Sequence, residues 1–229
     1  MEKFLENFTT FIKFNNKASL INEIKLLRTV DHPNLIHLEA VYESENNFYL
    51  VLEICSGGNL KEYIKQNKLV SQEKSAYIMK NVLEGLQALH NKNIMHRDIK
   101  PENILFKTSN FLEENGQIIL ADFGLATSND VSNYLLPRCG TPGFVAPEIL
   151  LNDDPDVHYS LKCDLFSVGV TLFMMLTGRM PYEGEENRLI ENMEFDFNLK
   201  KHKGFNFLSS EGIFTKRTIK ILKLLKIFK

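Results

Sequence analysis

Three side chains suited to phosphoryl transfer lie close together in the stretch His96–Asn103. Asp98 has a carboxylate that can accept a proton from a hydroxyl, and Lys100 has an ammonium that can neutralise phosphate charge. Asn103 offers an amide oxygen, a type of ligand that Mg²⁺ accepts. A second carboxylate, Asp122, begins an Asp-Phe-Gly sequence nineteen residues later. Each of these side chains has a use in metal-assisted transfer of a phosphate to a hydroxyl.

Predicted helices and strands flank these residues on both sides. A long helix is predicted to begin at Ser71, because apolar residues recur at helical spacing after it. These residues are Ile78, Met79, Val82, Leu83, Leu86 and Leu89. Two short strands are predicted at Ile104–Phe106 and Gln117–Ala121, with an Asn115-Gly116 turn just before the second. The reactive stretch therefore lies between a helix and a strand, and Asp122 follows the second strand.

Further elements give an α+β pattern, with a small sheet region before a helical region. A short helix is predicted before Asp31, with apolar residues at Leu20, Ile21, Ile24, Leu27 and Val30. Phe48–Ile54 is rich in β-forming residues and predicts a strand. Asn59, with Glu62 three residues later, predicts a capped helix. Asp164–Thr177 is apolar nearly all round and is followed by Gly178, which predicts a buried core helix.

The composition is that of an ordinary globular protein. The 229 residues include 27 Lys and Arg against 29 Asp and Glu, for a net charge of −2, and 44% are apolar. This balance argues against disorder and against a globally basic protein that binds nucleic acid. The charge is unevenly placed, because residues 200–229 hold nine basic residues and one acidic residue.

The cysteines and apolar segments favour a cytoplasmic protein. Cys55, Cys139 and Cys163 are odd in number and lack C-x-x-C spacing, which argues against a disulfide framework or a zinc site. A reactive Cys139 is an alternative, since Arg138 beside it would lower the pKa of the thiol. No signal-peptide pattern is found, and the longest apolar stretch, Val168–Leu176, is too short to cross a membrane.

Three motifs in order make the chain resemble the eukaryotic protein kinases. They are the catalytic-loop sequence His96–Asn103, the Asp-Phe-Gly motif at Asp122, and the Ala-Pro-Glu motif at Ala146–Glu148. The stretches Arg138–Glu148 and Asp164–Gly169 look most like the calcium/calmodulin-dependent group of serine/threonine kinases.

The resemblance runs from about residue 17 to residue 198 and implies a protein-kinase-like bilobal α+β fold. Residues 1–54 are expected to form a partial, truncated N-terminal β lobe. Residues 55–198 are expected to form a mainly helical catalytic lobe, followed by an atypical basic tail at 199–229.

The resemblance also implies roles for the reactive residues. Asp98 matches the catalytic base that orients the acceptor hydroxyl, and Lys100 matches the γ-phosphate contact of the serine/threonine class. Asn103 and Asp122 match the two Mg²⁺ ligands. Thr141 is expected to bond to Asp98 or Lys100.

Other residues match the family's nucleotide-binding and structural positions. Those expected to line the ATP site, besides Asp122, are Leu52, Glu53, Cys55, Asn59 and Leu105. Those expected to hold or regulate the site are Glu23, Arg97, Phe123, Gly124, Thr141, Glu148 and Asp164. His96 is expected to serve as a packing anchor rather than as an acid or base.

Two parts of the family pattern are not found in the sequence. No G-x-G-x-x-G occurs before Glu23, and the first glycine is Gly57. Lys13 is a weak candidate for the nucleotide-binding lysine, because only ten residues separate it from Glu23. After residue 198, the arginine that pairs with Glu148 in the family is not evident. A kinase core that is incomplete at both ends is therefore expected.

The function implied is a serine/threonine protein kinase that uses ATP and Mg²⁺ to phosphorylate hydroxyls of protein substrates. The alternative is a catalytically impaired kinase fragment or pseudokinase that acts by binding, which the missing lysine favours. Pro137 stands where many relatives carry a phosphothreonine, so activity is expected not to depend on phosphorylation there. Residues 215–229 alternate Lys with Ile and Leu, which fits a calmodulin-binding or membrane-surface helix, an ordinary packing helix, or a displaced reading frame.

Overall fold

The computed structural model of the chain describes residues 17–44, 47–111, 117–130, 136, 138–150 and 160–181. The elements in these ranges are α1 (Lys17–Thr29), β1 (Leu38–Glu43), β2 (Phe48–Leu52), α2 (Leu60–Asn67), α3 (Gln72–His90), β3 (Ile94–Met95), a 3₁₀ turn (Pro101–Asn103), β4 (Ile104–Phe106), β5 (Ile118–Leu120), β6 (Thr127–Ser128), α4 (Pro147–Leu150) and α5 (Lys162–Thr177).

The helix ends follow the predicted capping residues. The side chain of Asn59 accepts a hydrogen bond from the backbone N–H of Glu62 at 2.9 Å and begins α2. Ser71 caps α3 by accepting from the N–H of Lys74. Gly178 ends α5 with a φ of 71°, a left-handed conformation that glycine adopts without steric cost.

The strands form three antiparallel pairs, β1 with β2, β3 with β6, and β4 with β5. The prediction of β4 is confirmed, whereas β2 and β5 are shorter than predicted and β1, β3 and β6 were not predicted. The strands β3 and β6 have two residues each and exist only because distant segments pair, so neither carries a local sequence pattern.

The largest core cluster joins α1, α3 and α5 with the β4–β5 pair. Fully buried members include Ile78, Val82 and Ile104. Two residues placed on apolar faces by the sequence are exceptions, since Ile21 is 37% exposed and Leu83 is 36% exposed. Each follows a buried neighbour by one position, about 100° further round the helix, and so lies beyond the buried stripe.

The segment after α1 is fastened to α3 and β5 through Asn34. Its side-chain nitrogen donates to Asn81 Oδ1 and to the Ile118 carbonyl, both at 2.9 Å, and its own carbonyl accepts from Leu120 N. Gly85 makes this approach possible, because a Cβ there would lie 2.8 Å from the Asn34 carbonyl oxygen. The end of α1 is therefore held against α3 at close range.

The observed mixture of helices and strands confirms the α+β prediction. Within the described ranges, no helix has the length and apolar character needed to span a bilayer. Lys13, Pro137, the Asn115-Gly116 turn and residues 182–229 lie outside the described residues.

Candidate active site

Asp164, at the start of α5, fixes the backbone of the stretch that holds Asp98. Its carboxylate is fully buried and accepts hydrogen bonds from the backbone N–H groups of His96 at 3.0 Å and Arg97 at 2.8 Å. It also accepts from His90 Nε2 at 2.8 Å. Arg97 has a φ of 66°, which is uncommon for a side chain other than glycine. The hydrogen bonds from these two backbone N–H groups compensate the buried charge of Asp164 and hold the left-handed conformation of Arg97.

The carboxylate of Asp98 is surrounded by donors. Lys100 Nζ lies 2.7 Å from Oδ2, and the hydroxyl of Thr141 donates to Oδ1 at 2.6 Å. Lys100 also donates to Thr141 Oγ1 at 2.8 Å, which closes a triangle of three side chains. Burial would raise the pKa of Asp98, but the hydrogen bonds from Lys100 and Thr141 outweigh it and hold that pKa below its ordinary value. Asp98 is therefore an ionised acceptor at neutral pH.

Asn103 is oriented by the same carboxylate. Its Nδ2 donates to the Asp98 carbonyl at 2.8 Å and to Oδ2 at 3.1 Å, so the amide oxygen is its remaining ligand atom. The Asn103 carbonyl accepts from Ala121 N at 2.9 Å, which ties this residue to the segment that carries Asp122. The oxygens of Asn103 and Asp122 are the hard donors that Mg²⁺ prefers.

Asp122 begins a tight turn and is exposed. It has a φ of 67°, and its Oδ1 accepts from Gly124 N at 3.2 Å. Between these two residues, Phe123 is buried, with its ring centroid 5.5 Å from that of His96. His96 donates from Nε2 to the Ala121 carbonyl at 3.1 Å and accepts at Nδ1 from Asp98 N at 3.3 Å. One neutral tautomer satisfies both bonds, and His96 is fully buried, which is consistent with a packing role.

Glu23 of α1 lies on the other side of the Asp122 turn. It is 3% exposed, and its Oε2 has no hydrogen-bond partner among the residues that the structure describes. This oxygen is 4.0 Å from the position that a Cβ on Gly124 would occupy. Burial first, and the carboxylate of Asp122 second, raise the pKa of Glu23 to about 7. The site therefore holds a buried acid whose charge is not neutralised within the described part of the chain.

Arg97 holds both the Asp122 turn and a residue that follows it. Its Nε donates to the Leu125 carbonyl at 2.8 Å, and NH1 donates to the Leu136 carbonyl at 2.7 Å. The guanidinium is thus hydrogen-bonded to two backbone carbonyls, and Leu136 directly precedes in sequence Pro137, which stands where many relatives carry a phosphothreonine.

Four of the residues expected to line the ATP site lie between the end of β2 and the start of α2, namely Leu52, Glu53, Cys55 and Asn59. The fifth, Leu105, is the central residue of β4. Leu52 ends β2, and Glu53 N donates to the His37 carbonyl at 3.0 Å. The Glu53 carboxylate accepts from His37 N at 2.9 Å and pairs with Lys107. Burial, and then the charge of Glu53, raise the pKa of Cys55 to about 11. Cys55 is therefore a protonated thiol at neutral pH, as a non-reactive residue would be.

Asn59 and Leu105 face each other in an isolated antiparallel bridge. The side-chain oxygen of Asn59 is used in capping α2, so its amide nitrogen is the group left for the nucleotide contact expected of it. Gly57 brings the two segments together, since a Cβ there would lie 2.2 Å from the Thr108 carbonyl oxygen.

Two further residues singled out in the sequence are Glu148 and Cys139. Glu148 in α4 is exposed, and within the described residues no ion pair involves it. The idea that Arg138 lowers the pKa of Cys139 is not supported. Burial raises that pKa, outweighing the opposing charge of Arg97.

Three contacts at the site carried no sequence signal. His90 bonds Asp164 across 74 residues, Lys107 pairs with Glu53 across 54, and Asn22 of α1 bonds the Ala126 carbonyl across 104. Each residue is an ordinary polar side chain on a helix or next to a strand, and only the folded chain brings the partners together.

The fold and this arrangement of Asp98, Lys100, Asn103 and Asp122 are those of the protein kinase class. A family comparison agrees, because the protein kinase domain matches residues 8–222. The chain belongs to the protein kinase domain family.

Individual relatives are serine/threonine kinases by name. The chain is 37% identical over 185 residues to the probable serine/threonine-protein kinase fhkE of Dictyostelium discoideum, covering 79% of this chain and 26% of that protein. It is 38% identical over 178 residues to the serine/threonine-protein kinase ATG1c of Arabidopsis thaliana, covering 77% of this chain and 23% of that protein. The chain thus spans about a quarter of the length of these curated relatives.

Proposed function

We propose that the protein is a serine/threonine protein kinase, which transfers the γ-phosphate of ATP to hydroxyl groups of protein substrates. The observation that carries this proposal is the closed triangle of Asp98, Lys100 and Thr141. An ionised carboxylate and an ammonium held 2.7 Å apart in a largely buried site support transfer chemistry, since both are groups that phosphoryl transfer requires.

Asp98 orients the acceptor and takes its proton. Three hydrogen bonds to the carboxylate leave one acceptor position, on Oδ1, for an incoming hydroxyl, since a carboxylate has about four such positions. Lys100, fixed by two partners, places its ammonium where negative charge on the transferred phosphate needs stabilising. Because these groups are already positioned, little reorganisation is required during transfer.

Asn103 and Asp122 fit a magnesium site by their donor chemistry. These two residues would hold Mg²⁺, which would supply positive charge to offset the negative charge of the ATP phosphates. The chain itself supplies the orientation, since Asp98 fixes the Asn103 amide and Gly124 N fixes Asp122 Oδ1.

The first experiment measures phosphate transfer by the purified chain from Mg-ATP to peptides that carry Ser, Thr or Tyr acceptors. We expect transfer to Ser and Thr, and Asp98→Asn should lower it by about 10²–10⁴-fold. The matched control is Glu102→Gln, the same chemical change four residues away at an exposed ion pair with Lys61, which should retain transfer. Predominant transfer to Tyr, or equal transfer by Asp98→Asn, would contradict the proposal.

A second candidate is a catalytically impaired kinase domain that acts by binding. The Oε2 of Glu23, which has no partner among the described residues, favours it, because the resemblance implies that this glutamate pairs with a nucleotide-binding lysine. Fluorescent ADP titrations separate the two functions. Nucleotide binding without transfer in the wild-type chain supports the binding function, whereas transfer that Asp98→Asn abolishes supports the kinase.

Finer assignments rest on sequence alone. The stretches Arg138–Glu148 and Asp164–Gly169 support a place in the calcium/calmodulin-dependent group. The three free cysteines support a cytoplasmic location. The basic segment 215–229 supports, less strongly, a contact with calmodulin or a membrane surface.

A further inference from the structure

Asn22 makes a hydrogen bond that links α1 directly to the segment after Asp122. Its side-chain Nδ2 donates to the Ala126 carbonyl at 2.9 Å. Asn22 immediately precedes Glu23, so the residue that bonds this segment and the buried acid of the site share one turn of helix.

The carbonyl that Asn22 binds belongs to the Asp122 turn itself. Ala126 N donates to the Phe123 carbonyl at 3.0 Å and closes that turn, and Ala126 is 2% exposed. The preceding carbonyl, of Leu125, accepts from Arg97 Nε at 2.8 Å. The turn is therefore held by α1 on one side and by the Asp98 stretch on the other.

The far end of α1 is fastened differently. Lys92 Nζ donates to the Thr29 carbonyl at 2.5 Å in an exposed position. This bond satisfies a carbonyl in the last turn of α1, and it touches neither Glu23 nor the Asp122 turn. The middle and the C-terminal end of α1 thus each make one side-chain-to-carbonyl hydrogen bond, and only the bond of Asn22 involves the Asp122 turn.

We propose that Asn22 is a positioning residue that sets the Asp122 turn against α1 and thereby the placement of Asp122 for Mg²⁺-bound nucleotide. This inference rests on the proposed function. Asn22 touches neither substrate nor metal, and it acts through the Ala126 carbonyl. Without its donor this carbonyl loses its partner, and among the described residues the turn keeps the hydrogen bond from Arg97 and the packing of Phe123 against His96.

The test measures how much Mg²⁺ tightens ADP binding, with a fluorescent ADP titrated in Mg²⁺ and in EDTA. Asn22→Ala should reduce the Mg²⁺-dependent gain in affinity about tenfold, the equivalent of one hydrogen bond, and leave binding in EDTA unchanged. Asn22→Gln keeps a donor and should restore part of the gain. Lys92→Ala should lower the melting temperature without changing the gain.

Amide hydrogen exchange provides a readout that does not depend on nucleotide. Asn22→Ala should speed exchange at residues 122–127 and in the first half of α1, whereas Lys92→Ala should speed it only near Thr29. If the wild-type chain binds no nucleotide, the proposed function fails and the exchange data alone decide this inference. Unchanged exchange at 122–127 in Asn22→Ala, or an equal loss of the Mg²⁺-dependent gain in Lys92→Ala, overturns it.

Discussion

Two buried acids on opposite sides of the Asp122 turn have opposite environments. Asp98 is bonded to Lys100, Thr141 and Asn103, and its pKa is held below the ordinary value. Glu23 has an oxygen with no partner in the described part of the chain, and its pKa is raised to about 7. The negative charge of Asp98 is compensated by donors from neighbouring residues, whereas Glu23 needs a proton or a cation to compensate its charge.

The difference follows from where the partners lie along the chain. Lys100 and Asn103 are within five residues of Asp98, so one short loop supplies most of its donors. Among the described side chains of α1, Lys25 is the nearest lysine to Glu23, but it is exposed and two positions away, a spacing that does not place two side chains on one face. Burying an ion without such a partner is costly, and the raised pKa expresses that cost.

The largest effect is expected from Asp164→Ala, which removes the carboxylate that fixes the backbone next to Asp98. This change leaves two buried backbone amides and His90 without their acceptor, so we expect a loss of about 3–5 kcal/mol in the free energy of unfolding. Urea unfolding followed by circular dichroism measures it. The control, Asp130→Ala, removes an exposed turn carboxylate that Asn93 bonds and should cost less than about 1 kcal/mol. Equal losses of unfolding free energy in the two variants would show that the hydrogen bonds to Asp164 do not stabilise the Asp98 stretch.

The Glu23 side is tested by Glu23→Gln in EDTA as a function of pH. Because the folded pKa of about 7 exceeds the ordinary 4.5, the folded state keeps the proton longer and wild-type stability falls between these values. The variant cannot ionise and avoids this fall. The free energy of unfolding of Glu23→Gln relative to wild type should show no pH-dependent gain below pH 4.5 and a gain of about 3 kcal/mol above pH 7.

A wild-type stability that stays constant between pH 4.5 and pH 7 would contradict this expectation. It would show that a cationic partner for Glu23 comes from a part of the chain outside the described residues.

A smaller effect is expected from Thr141→Val. Removing the hydroxyl takes one donor from Asp98, so the pKa of Asp98 should rise and the acid limb of the pH–rate profile should move to higher pH. The transfer rate at neutral pH should fall by about tenfold, the equivalent of one hydrogen bond. Thr141→Ser keeps the hydroxyl and should behave as the wild type. An acid limb that stays in place in Thr141→Val would show that Lys100 alone sets this pKa.

The smallest effect is expected from phosphatase treatment. Arg97 already bonds the Leu125 and Leu136 carbonyls, and Pro137 has no hydroxyl to modify, so treatment should not change the transfer rate. The comparison is with mock-treated protein in the same assay. A loss that is restored by a modification mapped between Thr127 and Thr141 would contradict this prediction.

The features that could be predicted from the sequence are those determined by residues close together in the chain. The Asn59 cap and the Gly178 stop were predictable because each helix signal lies within a few residues. The chemistry of Asp98, Lys100 and Asn103 was predictable for the same reason. The contacts of Asn22 and His90 were not, since their partners are 104 and 74 residues away and any polar residue could stand in their place. The exposure of Ile21 and Leu83 depends on which elements pack beside each helix, and spacing alone does not give this.

The close approach of Asn34 to Gly85 has a mechanical consequence. A shift of the Asn34 segment along α3 by one turn, about 5.4 Å, would bring its carbonyl to Asn81 or Leu89, where a side chain blocks the approach. A slide by one turn is therefore blocked at this contact. Gly85 thus fixes the position along α3 of the segment that follows α1, and with it the height at which α1 begins its approach to the Asp122 turn.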